Sequence, residues 1–172
     1  TQQPAALVSD PEAPVDLRAR TWLSANCAHC HRNRGGGSVT MKLNLEVALD
    51  EMDAFDLDPE KGGFGATQPK LIAPGDPYRS MLYYRSVTAG IGHMPMIGAK
   101  TVDPTGAKIL HDWILSLGEN EEIEPGLGNT ESALRLTHLI RTGEISGDAA
   151  DGWIEKGKAS ENPIISGLFS EF

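Results

Sequence analysis

The chain has 172 residues, room for one domain with an appendage, and its 40% hydrophobic and 23% charged residues are an ordinary globular balance. No apolar run approaches the roughly 18 residues that a spanning helix needs, which excludes a membrane span. A net charge of −9 argues against binding along a nucleic-acid backbone, where basic stripes are the footprint. The two cysteines, Cys27 and Cys30, stand too close together to form a disulfide framework.

Residues 1–15, beginning TQQPAALVSDPEAP, read as a polar, proline-bearing lead-in linker. They lack the basic and apolar regions of a secretory signal, so the expectation is a mature or excised chain. Asp16 is an acceptable N-cap, and Leu17, Trp22 and Leu23 can share a face with Ala19 or Ala25, which predicts an amphipathic helix over 17–31. The run Gly35-Gly36-Gly37 marks a loop.

Residues 39–80 are dense in glycine and proline, which predicts a long ordered loop with a short strand at 42–45. A loop of that length in a compact domain usually means function or a ligand to pack on. A short helix is expected over 79–87, and Asp103-Pro104 opens a stronger one over 103–118. Its apolar stripe is Ile109, Leu110, Trp113, Ile114 and Leu117, and Gly118 is the expected stop. His111 is assigned to its polar side. The acidic Gly/Pro-rich linker 119–129 follows, its charges read as a solvated face. Helices are then expected over 130–142 and, more weakly, 148–159, within a helical C-terminal extension of residues 130–172.

Cys27-Ala28-His29-Cys30-His31 has the C-x-x-C-H pattern of covalent c-type haem attachment. Two thiols one helical turn apart can each form a thioether to a porphyrin vinyl group, and the next histidine can coordinate the iron. A dithiol redox pair is the first rival, but the strand of a βαβ context is not visible before Cys27. Structural zinc is the second, but it needs a further Cys or His pair at regular spacing. Downstream, His93-Met94-Pro95-Met96-Ile97-Gly98 offers a thioether in a glycine-flanked loop, and Met94 lies 63 residues (94 − 31) beyond His31. Methionine commonly fills core gaps, and Met41, Met52 and Met81 are read that way.

With both motifs in place, LSANCAHCH, LIAPGDPYRSMLYYR, HMPMIG and VDPTGAKILHDWILSL resemble the class I-like, single-haem cytochrome c domains fused into larger bacterial secreted redox proteins. The resemblance covers about Asp16 to Leu117. It implies an all-α, cytochrome c-like fold over residues 16–118, with long loops wrapping the haem and the N- and C-terminal helices crossing, Trp22 against Trp113. It implies one covalently attached haem c on Cys27 and Cys30, with His31 and Met94 as iron ligands. Met96 is the alternative to Met94, which spacing alone does not separate, and His93 is a lesser distal candidate.

Among Lys70, Tyr78, Arg79, Tyr83, Tyr84 and Arg85, which could hydrogen-bond the haem propionates, Arg79 and Tyr83 are singled out. The implied function is electron transfer rather than catalysis, as a carrier or as the redox module of a larger enzyme. The implied partners are a redox donor and acceptor, other domains of one parent chain included. The implied location is the bacterial periplasm or exterior. The alternative is a peroxidase-like haem enzyme or ligand sensor with a labile sixth ligand.

Overall fold

The computed structural model describes residues 4–99 and 101–172, so the first three residues of the lead-in lie outside the described residues. The fold is helical. In chain order the helices are α1 (Pro4–Ser9), α2 (Val15–Asn26), α3 (Met81–Val87), α4 (Pro104–Leu115), α5 (Thr130–Thr142), α6 (Asp148–Lys158) and α7 (Pro163–Phe169). Single 3₁₀ turns occur at Leu49–Glu51 and Pro77–Arg79. No described helix is long and apolar enough to cross a membrane. The lead-in differs from expectation in carrying α1, on which Arg18 of α2 closes by donating to the Val8 carbonyl at 3.2 Å.

Helix α2 is shorter than the 17–31 expected. It follows Pro14 and ends at Asn26. The amides of Cys27 and Ala28 both donate to the Leu23 carbonyl (2.8 and 3.1 Å), and those of Cys30 and His31 both donate to the Cys27 carbonyl (3.1 and 2.9 Å). The first pair, one bond spanning four residues and one spanning five, widens the last turn and ends the helix; the second makes Cys27–His31 a separate turn. Asp16, expected as the cap, sits in the first turn, where a carboxylate favours the helix dipole.

Helix α4 follows its local signals: the Asp103 side chain accepts from the Thr105 amide, and Pro104 occupies the first turn. Ile109, Leu110, Trp113 and Ile114 are buried as the stripe predicts, although the helix ends at Leu115 rather than Gly118. Two reciprocal bonds lock α2 across α4. Trp113 donates from Nε1 to Asp16 at 3.0 Å, and Trp22 donates from Nε1 to Asp103 at 2.8 Å. Each is a hydrogen bond to a charged acceptor, a class worth about 1.5–3 kcal/mol. The crossing needs Gly106, because a Cβ there would stand 2.3 Å from the Trp22 ring.

The 42–45 strand does not form. The amides of Lys42 and Leu43 donate to different segments, to Met52 O and His31 O (both 2.8 Å), so no ladder builds. Residues 39–80 instead make the expected long loop, anchored by buried Met41, Leu43, Met52, Ala54 and Ile72 and pinned by isolated bridges such as Phe55–Ile72 and Lys70–Ser80.

Helix α5 covers the expected residues, capped by Asn129, whose side chain accepts from the Ser132 amide. Helix α6 begins at the expected Asp148, and α7 was not foreseen. Buried residues of α5 and α7 (Leu134, Leu136, Ile165, Leu168, Phe169) belong to the same apolar cluster as those of α2 to α4.

The largest departure is His111. It is buried, not on a polar face, and its ring stacks on that of His138 from α5 at 3.6 Å. Tyr78 hydrogen-bonds with His111 Nε2 (2.9 Å), Tyr83 with His138 Nδ1 (3.2 Å), and Asp112 with His111 Nδ1 (3.2 Å). Burial raises the Asp112 carboxyl, but hydrogen bonds from His111 and Lys108 outweigh it and hold it below the usual value. Burial, and then His111 beside it, push His138 down to about 3.

Two predictions follow from this packing. Gly106→Ala should destabilise the chain by about 1–3 kcal/mol through overpacking against Trp22, which exceeds its helix-propensity gain. Gly152→Ala in α6, where an added Cβ meets nothing within 4 Å, should stabilise it by up to about 1 kcal/mol; urea unfolding distinguishes the two.

For His138 the folded pKa lies below the unfolded one, so the unfolded chain takes up a proton that the folded chain refuses. Stability should therefore fall as pH drops from about 6.5 towards about 3, and His138→Gln should remove that share of the slope in urea titrations run across the range.

Candidate functional site

The turn after α2 presents Cys27 half-buried and Cys30 exposed, both as free thiols. Burial, and then the neighbouring Cys30, push the Cys27 thiol up to about 12. That is the opposite of the depressed pKa by which a dithiol redox centre activates its attacking sulfur. Behind the turn lies the glycine loop: Gly37 donates its amide to the Cys30 carbonyl (3.0 Å), and a Cβ on Gly37 would stand 3.0 Å from His31 Nδ1. The imidazole of His31 is therefore held against bare backbone. Its Nδ1 is buried without a hydrogen-bond partner, and the ring bonds to no described side chain. Leu43 ties the far side by donating its amide to the His31 carbonyl at 2.8 Å. Burial first, then Arg85, then His29 lower the His31 pKa, which favours the neutral ring that a metal ligand must be.

The second motif lies in the loop between α3 and α4, and α3 holds it. Tyr84 donates from its hydroxyl to the Ile91 carbonyl (2.8 Å), Arg85 donates from Nη1 to the Gly92 carbonyl (3.1 Å), and the Met94 amide donates to the Arg85 carbonyl (2.9 Å). Arg85 also donates from Nη2 to the Lys61 carbonyl (3.2 Å) and lies 4.7 Å above the Phe64 ring, itself stacked on Tyr84. His93 closes the loop on itself, its Nδ1 2.6 Å from the Thr88 carbonyl and its Nε2 3.0 Å from that of Ala99. Both ring nitrogens lie within hydrogen-bond distance of backbone carbonyls, of which a neutral imidazole can donate to one.

Arg85 fixes Met94 through its backbone carbonyl, and its positive charge adds to burial in lowering the His31 pKa. Met94 is half-buried, whereas Met96 is 82% exposed beside Ile97 (89%) and Ile91 (54%). Three of the four exposed large hydrophobic side chains among the described residues lie in this one loop.

Two expected propionate partners are elsewhere. Tyr83 is fully buried, with its hydroxyl 3.2 Å from His138 Nδ1. Arg79 donates from Nε to Asp76 at 2.6 Å, in the cap of the 77–79 turn. Of the six polar residues considered on 70–85, Arg85 is the one whose charge acts on His31. The spacing of α3 could have suggested it, because Arg85 and Tyr84 follow Met81 by one helical turn; which face met the motif loop was decided by the fold.

Among the described residues, no three His, Cys, Asp or Glu side chains gather as a metal site, so a zinc centre lacks its tetrahedral donor set. A haem iron asks the chain for only two donors, and one can be a methionine. No protein family, curated protein or solved structure matches the chain.

Arg85→Met should keep the packing on Phe64 while removing both carbonyl contacts. Amide hydrogen exchange over residues 88–99 should then accelerate, with little change in α4 and α5.

Proposed function

We propose that the chain is a single-electron carrier of the cytochrome c kind, holding one haem c through Cys27 and Cys30 with His31 and Met94 as axial ligands. Two observations carry this reading: the buried His31 Nδ1 has no hydrogen-bond partner, and α3 braces the Met94 loop through Tyr84 and Arg85. The fit rests on the donors: two free thiols on one turn, an imidazole with no protein partner, and a thioether in a braced loop edged by exposed apolar side chains. When bound, the haem supplies the one-electron iron couple.

The chain's own residues supply the setting. The glycine loop keeps the His31 ring in place, while burial and Arg85 disfavour its protonation. Arg85 brings a positive charge suited to a propionate and opposed to further positive charge at the iron. A thioether from Met94 favours the reduced state. Ile91, Met96 and Ile97 offer apolar surface around the site, and the net charge of −9 suits a redox partner with a basic docking face. A donor and an acceptor, in separate proteins or in one parent chain, and a periplasmic or extracellular setting in a bacterium complete the proposal.

Optical spectra of the matured protein test it. The wild type should be six-coordinate and low-spin in both oxidation states, with the weak red band of ferric sulfur ligation. Met94→Ala should lose that band and bind carbon monoxide when reduced, whereas Met96→Ala should keep it. A high-spin wild type that binds carbon monoxide freely would turn the reading to the haem enzyme or sensor. Loss of the band in Met96→Ala alone would move the ligand by two residues.

A further inference from the structure

We propose that the Arg141–Glu171 ion pair of the C-terminal segment is a positioning device for the methionine loop, setting how firmly Met94 stays on the iron. This rests on the haem reading above.

The loop leaves the core at Val87, the last residue of α3, and returns at Val102, just before the Asp103 cap of α4. Both ends are held by residues beyond position 130. At the departing end, Arg141 donates from Nη2 to the Val87 carbonyl at 3.1 Å, and the Ala89 amide donates to the Gly167 carbonyl at 3.3 Å. Gly90 and Gly167 approach so closely that a Cβ on either would lie within 2.6–2.9 Å of the other's Cα. At the returning end, the Val102 amide donates to Glu171 Oε2 at 2.7 Å.

The two clamps are one unit. Arg141 Nη2 donates to Glu171 Oε1 at 3.0 Å, with side chains only 10% and 17% exposed, and the guanidinium lies 4.6 Å above the Phe172 ring. One carboxylate therefore divides its oxygens between the cation that holds Val87 and the amide that closes the loop at Val102. A half-buried pair of this kind resists solvent screening far better than a surface pair.

The consequence is entropic. When a thioether leaves iron, the released loop gains conformations, and that gain opposes ligation. Pinning both ends shrinks the gain, so the sulfur stays bound against a competitor. His93 within the loop and Arg85 on α3 act on local geometry; Arg141 and Glu171 fix the span itself. The extension thereby acts as the outer support of the distal ligand.

The test uses the full haem-loaded chain and imidazole as the competing ligand for ferric iron. Arg141→Met and Glu171→Gln should each bind imidazole about tenfold more tightly than wild type, with the red sulfur band weakened and helicity retained. The double variant should add little, because the two residues form one unit. Lys158→Met is the control. Lys158 donates to the Phe172 carbonyl at 2.7 Å, so it anchors the same terminus without touching the loop.

Unchanged imidazole affinity in Glu171→Gln, the milder substitution, would overturn the proposal, as would an equal change in Lys158→Met or a change that appears only with lost helicity. A wild type that lacks the sulfur band would overturn the haem reading itself, a distinct result.

Discussion

The structure depends on how α2 crosses α4. Trp113 reaches back to Asp16 at the start of α2, and Trp22 reaches to Asp103 at the start of α4, with Gly106 leaving room for the indole. Trp22 lies in the last turns before the Cys27–His31 turn, and Asp103 directly follows the loop that carries Met94. One hydrogen bond thus links the exit of one motif's helix to the end of the other motif's loop. If the helices slid past one another by a turn, both of these hydrogen bonds would be lost.

Around that crossing, support for the methionine loop comes from three directions. From within, Tyr84 and Arg85 of α3 hold the carbonyls of Ile91 and Gly92 and the amide of Met94. From the loop itself, the His93 ring sits between the carbonyls of Thr88 and Ala99, within hydrogen-bond distance of each. From outside, Arg141, Gly167 and Glu171 hold its two ends. Backbone groups that regular structure would satisfy are here satisfied by side chains, which is what an irregular loop needs in order to stay ordered.

The same economy explains the buried polar cluster at the junction of α4 and α5. Stacked imidazoles from His111 and His138 would be costly in an apolar core if left unpaired. Tyr78, Tyr83 and Asp112 supply partners, so the junction is both satisfied and specific in register. Its cost appears only when acid forces a proton onto His138.

What the sequence determined by itself was what is local. Asp103-Pro104 and Asn129 start helices because their caps act within a few residues, and Cys27, Cys30, His31 and Met94 stand out because their chemistry is written in short motifs. The spacing even held the true face of His111, since Ala107, Leu110, His111 and Ile114 recur at helical intervals, but a titratable side chain defaults to water until a partner is in view. Helix α7 escaped because seven residues are too few for periodicity to distinguish helix from strand, although Asn162-Pro163 marks its start.

The tertiary structure alone decided that α2 stops before Cys27, that Tyr83 meets His138 while Arg85 braces Gly92 and Lys61, and that residues 130–172 hold both ends of the methionine loop. Each of these depends on which carbonyl or ring arrives from a segment far away in the chain. Such encounters are set by the packing of whole helices, and no window of sequence around any one of these residues contains them.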